Sequence, residues 1–260
     1  MKTLSRSVGR PDIGGEPLPP VFRTFDNNQI ILRRAEVSMI AGTPGAGKST
    51  LALALALRAR IPTLYLSADT NAHTMAMRLY SMITGVSQSE AEKVISEDPV
   101  GARERLALAS HIYWSFDSNP SLGDIDDEVT AVEELLGESP ALIVIDNLMD
   151  ISMDGGEEFG NMRNALKELK YLARDTNAAV LVLHHTKESY AGNPCQPRSS
   201  LQGMVAQLPA LILTVGQQDG MLGVAAVKNR YGRANAGGDN PVWLQFNPEY
   251  MFIADLQEAR

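Results

Sequence analysis

From Val37 onward, short apolar runs alternate with stretches whose apolar residues recur at helical spacing. The runs VSMIAG, TLYLSAD, HIYWSF, ALIVIDN, AAVLVLHH and ALILTVG are apolar almost throughout, and several end on polar residues. A strand buried on both faces has this character, because helices cover both sides of a parallel sheet. Between the runs, Met75, Leu79, Met82 and Ile83 share one helical face, and so do Ile125, Val129, Val132 and Leu136. Met162, Ala165, Leu166, Leu169, Leu172 and Ala173 make the most regular stripe. Such stripes predict helices packed on a core. After Leu213 the helical spacing stops. GVAAVKN, VWLQF and MFIAD predict strands, and YGRANAGGDNP reads as a Gly-rich loop. The pattern predicts an α/β fold: a mostly parallel central sheet flanked by helices, with a β-rich C-terminal extension.

Residues 1–20 differ from the rest. Gly9, Pro11, Gly14, Gly15, Pro17, Pro19 and Pro20 leave few apolar anchors, which predicts a flexible N-terminal arm ahead of one domain over residues 21–260. Two readings of the arm stay open, a tail without a role and a segment that packs on a neighbouring subunit. The 260 residues, 44% of them hydrophobic, suffice for one large core.

Acidic residues number 31 against 23 Lys and Arg, a net charge of −8, which excludes a protein that coats nucleic acid or anionic lipid through its overall charge. A small basic patch inside a channel remains compatible with it. The single cysteine, Cys195, excludes an internal disulfide and a Cys-rich zinc site. No run approaches the ~18–20 apolar residues of a membrane span. The opening MKTLSRSVGRPDIGG lacks the apolar stretch of a signal peptide, so a cytoplasmic protein is expected.

The chemistry centres on Gly42-Thr43-Pro44-Gly45-Ala46-Gly47-Lys48-Ser49, which matches G-x-x-x-x-G-K-[ST] and is followed by Thr50. It follows a predicted strand and opens a predicted helix, the context that separates a phosphate loop from a chance Gly-rich turn. Backbone N–H groups in such a loop converge on ATP phosphates, and the helix N-terminus adds a favourable dipole. Lys48 would neutralise the β- and γ-phosphates, and the Ser49 hydroxyl would ligate Mg²⁺. The run ALIVID delivers Asp146 at the end of a buried strand, where it would hold the same Mg²⁺ through its water shell.

Several segments carry a family resemblance. SADTNAHTMAMRL resembles the S-L-E-M…R-L segment of the DnaB-type replicative helicases, members of the RecA-like ATPases. The resemblance gives Asp69 the place of the family's catalytic glutamate, which polarises the attacking water, although Asp is one methylene shorter. The alternative for Asp69 is a helix N-cap. Arg78 falls where the family has an arginine near the nucleotide base, with a solvated surface arginine as the alternative. IYWSFDSNPSLGDI is similar to the family's strand, D-x-x-P-x-L and helix. LVLHHTK places His185 at the γ-phosphate sensor, and His184-His185 is closer to the plasmid RepA-type hexameric helicases. A metal-binding His pair lacks a third ligand at suitable spacing. VKNRYG matches K-x-R-x-G, whose Lys and Arg reach a neighbour's γ-phosphate, a role the resemblance carries to Lys228 and Arg230. Leu208 and Ala210 stand where the family has acidic residues.

The resemblance covers about residues 21–255 and leaves no room in residues 1–20 for the helical domain that contacts primase. It implies a ring-forming, hexameric, Mg²⁺-dependent ATPase that translocates on single-stranded DNA and unwinds duplex, with a loader, primase or other replisome protein as partner. Nucleic acid would meet the loops DISMDGGEEFGN and TKESYAGNPCQPRSS. The first is acidic, with Asp150, Asp154, Glu157 and Glu158. The second offers Lys187 and Arg198, with Tyr190 to stack on a base. Two other readings remain: a recombinase-like or regulatory ATPase that binds DNA or protein without unwinding, and a nucleotide-binding subunit of a replisome or nuclease.

Overall fold

Strand β1, Val37–Gly42, is buried at every residue and lies between two parallel neighbours. In the computed structural model, which describes residues 15–153, 158–187, 193–203 and 205–256, it sits near the middle of one nine-stranded sheet. The other strands are β2 (Thr63–Ser67), β3 (Ile112–Ser115), β4 (Leu142–Asp146), β5 (Ala179–His185), β6 (Leu211–Gln218), β7 (Met221–Asn229), β8 (Val242–Asn247) and β9 (Phe252–Asp255). Their order is β3-β2-β4-β5-β1-β6-β7-β8-β9. Pairing is parallel from β3 to β6 and antiparallel from β6 to β9. The α/β architecture with a β-rich C-terminal extension is therefore as the sequence pattern predicts.

The helices are α1 (Arg23–Asn27), α2 (Lys48–Ala59), α3 (Ala72–Thr84), α4 (Gln88–Glu97), α5 (Pro99–Leu106), α6 (Leu122–Leu136) and α7 (Glu158–Asp175). One face of the sheet, with Leu181, Leu183 and Leu213, packs on α2 through Leu51, Ala52 and Leu55. The other face, with Val180, Val182 and Ile143, packs on Ile125, Val129 and Val132 of α6 and on Met162, Ala165, Leu166, Leu169 and Ala173 of α7. Alternation along each strand feeds both layers, which is why the strands read as unbroken apolar runs.

Two features depart from the sequence reading. The segment Gly15–Leu18, within the expected arm, is part of the fold: Gly15 N–H donates to the Arg34 carbonyl, Leu18 N–H to that of Leu32, and Leu18 is buried. Isolated prolines and glycines do not prevent an edge segment from pairing with a neighbouring extended chain. Helices α4 and α5 were not among the predicted stripes: each fully buries one alanine, Ala91 and Ala102, and the half-buried Val94, Ile95 and Leu106 pack beside them in a small cluster with Tyr80, too few apolar positions to stand out. Their caps are legible: Ser87 accepts from Glu90 N–H, and Asp98 accepts from Gly101 N–H with Pro99 at the first turn.

Burial of α7 yields a direct test. Leu166 is fully buried and Leu135, on α6, is 67% exposed. Leu166→Ala should cost about 2–5 kcal/mol, and Leu135→Ala within about 0.5 kcal/mol, as read from urea unfolding midpoints. Equal effects would contradict the placement of these faces.

Candidate active site

The parallel register brings the expected chemistry to one end of the sheet. Ser67 is level with Asp146, and Gly42 is level with His185. The phosphate loop after β1, Asp69 after β2, Asp146 ending β4 and His185 ending β5 therefore converge at the C-terminal ends of neighbouring strands, where open α/β sheets bind ligands. Gly47 enters α2 at φ 98°, and a β-carbon there would meet Leu222 Cδ1 at 3.0 Å and Phe246 Cζ at 3.2 Å. Glycine is required on both counts.

Lys48 is 7% exposed, and its Nζ donates to the Gly42 and Thr43 carbonyls at 3.0 Å each. Burial pushes its pKa down, while the Asp146 and Asp69 carboxylates oppose that shift. Asp146 is pushed up, chiefly by burial and further by Asp69; hydrogen bonds from Ser49 and Tyr65 and the charge of Lys48 pull it back. The Tyr65 hydroxyl donates to Asp146 Oδ2 at 3.1 Å. His185 Nδ1 lies 3.5 Å from Lys48 Nζ, and its pKa is lowered by burial and then by Lys48. The site holds one lysine among carboxylates, ready for an anionic ligand that brings its own divalent ion.

Asp69 is exposed, and its Oδ2 accepts a 2.9 Å hydrogen bond from Asn147 Nδ2. The N-cap of α3 is Asn71, whose side chain accepts from Thr74 N–H at 2.9 Å, so the capping role considered for Asp69 belongs to its neighbour. Asn147 also holds the following turn: its Oδ1 accepts from Met149 N–H, and its own N–H donates to Asp150 Oδ2. Sequence reasoning missed Asn147 and Tyr65. The Asn after the strand-ending Asp in ALIVIDN is the signal for the first, whereas Tyr65 reads as one more apolar strand residue.

A cavity of about 250 Å³ extends from the loop, lined by residues 45–50 together with Arg78, Gln88, Gln217, Phe246, Pro248 and Met251. Arg78 thus faces the same space as the phosphate loop. Gln217 Nε2 donates to the Gly45 carbonyl at 2.6 Å and holds the loop's tip, and Gln88 Nε2 donates to the Pro248 carbonyl at 2.9 Å across the cavity rim. These glutamines carry no sequence signal, because the fold alone brings them to the loop.

Lys228 and Arg230 lie elsewhere. β7 runs antiparallel away from the loop, and the strand from Leu222, beside Gly47, to Arg230 spans roughly 25 Å at about 3.3 Å per residue. Arg230 Nη1 contacts both Glu36 carboxylate oxygens, at 2.9 and 3.1 Å, and Tyr231 donates to Glu36 Oε1 at 2.6 Å. Lys228 Nζ donates to the Ala206 and Gln207 carbonyls, and its pKa is lowered by burial and by Arg230, Arg198 and Lys170 nearby. The structure thus separates this pair from the chain's own Lys48 and joins it to Arg198. Lys187 is exposed, and Tyr190, Asp154 and Glu157 lie outside the described residues.

For Mg²⁺, the donor set fits in one form. Among the described residues, no group of three or more His, Cys, Asp or Glu makes a cage of its own. The Ser49 hydroxyl is bonded to Asp146, and Asp69 adds to the burial that raises the proton affinity of both Asp146 and Asp150. Such a set suits a hard cation carried in with a nucleotide and still partly hydrated.

A glycine-rich loop opening α2 from the central strand, a carboxylate at the end of β4 and an antiparallel extension beyond β6 define a RecA-like phosphate-loop ATPase, an ATP-hydrolysing enzyme. The chain belongs to the AAA domain family, which matches residues 19–190. It is 34% identical over 252 residues to the Gene 65 protein of Mycobacterium phage L5, covering 93% of this chain and 94% of that protein. It is 25% identical over 247 residues to a probable plasmid replicative DNA helicase of Chlamydia muridarum, covering 89% of this chain but 53% of that protein. Among solved structures, a DnaB-like replicative helicase, described with its interactions with primase, matches with a TM-score of 0.79 at 16% identity, over 97% of this chain and 65% of that one. An isolated ATPase domain matches at 0.80 and 17%, over 97% and 95%. The resemblance to the DnaB-type motor domain drawn from the motifs holds at the level of the fold. No helix among the described residues is long and apolar enough to cross a membrane.

The raised Asp146 carboxyl carries a prediction with a definite sign. A folded-state pKa above the unfolded value stabilises the fold at low pH, and that contribution is lost as pH rises through the folded pKa. At neutral pH the ionised Asp146 therefore costs stability. Asp146→Asn should leave the ligand-free melting temperature unchanged or higher, and remove the added stabilisation Mg²⁺ gives to a nucleotide complex. Melting curves with nucleotide, with and without Mg²⁺, test both halves; a lower ligand-free value with an intact Mg²⁺ increment would take the ion away from Asp146.

Proposed function

We propose that the protein is an Mg²⁺-dependent motor of the DnaB-like type, which assembles as a ring, translocates on single-stranded DNA and unwinds duplex during replication. The observation that carries the reading is the division of the machinery between the two ends of the sheet. Lys48, Asp69 and Asp146 stand at one end, and Arg230 stands roughly 25 Å away along β7. A complete site then needs Arg230 from a second copy, which is the arrangement a ring supplies.

In this reading Lys48 exchanges the Gly42 and Thr43 carbonyls for phosphate oxygens, at low cost because its ammonium group is already stripped of most of its water. Ser49 and Asp146 are the residues that would hold Mg²⁺, which would supply charge neutralisation on the phosphates. Asp69, steadied by Asn147, orients the attacking water, and His185 beside Lys48 reports the state of the γ-phosphate. Arg78 packs on the base. Arg230 leaves Glu36 to stabilise charge developing on the neighbour's transferring phosphate. Lys187 and Arg198, with Tyr190, would meet single-stranded DNA, and a primase or loader would be the external partner.

The net charge of −8 favours a second reading, an ATPase that binds DNA or protein without unwinding. A strand-displacement assay on a tailed duplex separates the two.

Two sets of variants test the chemistry. Asp69→Asn should bind ATP and hydrolyse it poorly, while Asp69→Glu stays active or turns over faster; equal rates in all three proteins would remove Asp69 from the reaction. Arg230→Ala should keep ATP binding and lose turnover, by up to ~10³–10⁵ where a finger is fully used. Lys48→Ala should abolish hydrolysis and weaken nucleotide binding. Mixing the two inactive proteins should restore activity through interfaces that pair an intact loop with an intact arginine. If sizing shows mixed assemblies and the rate stays at the level of the parents, Arg230 does not act between subunits.

A further inference from the structure

Each of the two carboxylates at the candidate site takes a hydrogen bond from the segment that carries the other. Asn147, directly after β4, donates to Asp69 Oδ2 at 2.9 Å, and Tyr65, within β2, donates to Asp146 Oδ2 at 3.1 Å. The register explains how Tyr65 reaches. It is level with Val144, two residues before Asp146, so Tyr65 and Asp146 share one face of the sheet, roughly 6–7 Å apart along it. Ser67 is level with Asp146 itself, but its hydroxyl donates to the Thr70 carbonyl. A long side chain from further down β2 therefore does what the nearer, shorter one does not.

Tyr65 is itself held from the side. Its ring is fully buried, and Trp114, the residue level with it on the edge strand β3, packs against it with ring centroids 4.9 Å apart. Trp114 in turn stacks on Phe116, 5.8 Å away and nearly parallel. A phenylalanine would fill the same place in this aromatic column without a hydroxyl to satisfy. The Tyr65 hydroxyl has one partner among the described residues, and that partner is the carboxylate placed for Mg²⁺. The same carboxylate is repelled by the charge of Asp69 and attracted by that of Lys48. A neutral donor on one of its oxygens fixes the direction of the group without cancelling its charge.

We propose that Tyr65 is a positioning residue for Asp146: its hydroxyl, anchored through Trp114, holds the carboxylate in the orientation that meets the water shell of a nucleotide-bound Mg²⁺. The inference rests on the Mg²⁺-nucleotide reading above and adds to it a residue that acts only through Asp146. Without the hydroxyl, Asp146 keeps its charge and its place in β4 but gains freedom to turn. Metal affinity then falls, because the carboxylate must be ordered on binding. Nucleotide binding in the absence of metal does not draw on that orientation and stays as it was.

The test is a Mg²⁺ titration of the affinity for a fluorescent, non-hydrolysable ATP analogue, with a chelator setting the metal-free value. Tyr65→Phe should raise the Mg²⁺ concentration that gives half of the affinity gain by about tenfold or more. Its affinity for the analogue without Mg²⁺ should stay within about twofold of wild type. Placing para-aminophenylalanine at position 65, which returns an N–H donor to the same point on the ring, should bring the Mg²⁺ requirement back toward wild type. A phenylalanine variant with an unchanged Mg²⁺ requirement, an equal loss of affinity with and without Mg²⁺, or an amino variant that restores nothing overturns the inference alone. A wild-type protein that does not bind the analogue, or gains nothing from Mg²⁺, overturns the Mg²⁺-nucleotide reading and the inference with it. Should Tyr65→Phe not fold, Trp114→Leu keeps the hydroxyl and removes its anchor, and it should raise the Mg²⁺ requirement about threefold or more; an unchanged requirement overturns the proposal.

Discussion

A buried lysine that shares its site with carboxylates yet gives its hydrogen bonds to backbone carbonyls is the constraint on which the rest of this structure turns. Lys48 reaches the Gly42 and Thr43 carbonyls only because the chain curls tightly after β1 and enters α2 through a left-handed Gly47. That curl is packed beneath by Leu222 and Phe246 and held at its tip by Gln217, so the antiparallel strands of the extension support the loop as well as continuing the sheet. Asp146 accepts bonds from Tyr65 and Ser49, which keep its oxygens aimed at the same space despite the cost of burying them.

This arrangement holds charge in an unsatisfied form. Lys48 is disfavoured as a cation and Asp146 as an anion, each by burial before any other influence. A ligand with phosphates and a divalent ion would relieve both at once. At the far end of the sheet the charge is of another kind. Arg230, exposed and paired with Glu36, is a surface cation that exchanges partners at little cost.

Residues 193–203 lie across the other face of the sheet, pairing with Thr186 through Leu201 and resting on Gly216 through Pro194. Because side chains alternate along a strand, consecutive residues at the end of β5 face opposite sides of the sheet: His185 stands beside Lys48, and His184 lies 2.9 Å from the Gln202 carbonyl.

Local chemistry in the chain determined much of this. Apolar runs and stripes specify buried strands and packed helices, and the glycines and Lys48-Ser49 specify a phosphate loop, because backbone freedom, charge and a hydroxyl at fixed spacing are properties of a short segment. The carboxylate at Asp146 is legible for the same reason. Helices α4 and α5 were not legible from periodicity, since their apolar contacts are few, Ala91, Val94 and Ile95 on one and Ala102 and Leu106 on the other, and only the alanines are fully buried. The inclusion of Gly15–Leu18 in the fold, the support of Asp69 by Asn147 and of Asp146 by Tyr65, and the closure of the cavity by Gln88 and Gln217 were decided by tertiary structure alone. So was the distance between Arg230 and Lys48. Each of these depends on strand order and register, which bring residues distant in sequence to one level of the sheet, and no local pattern of residue types encodes which strand lies beside which.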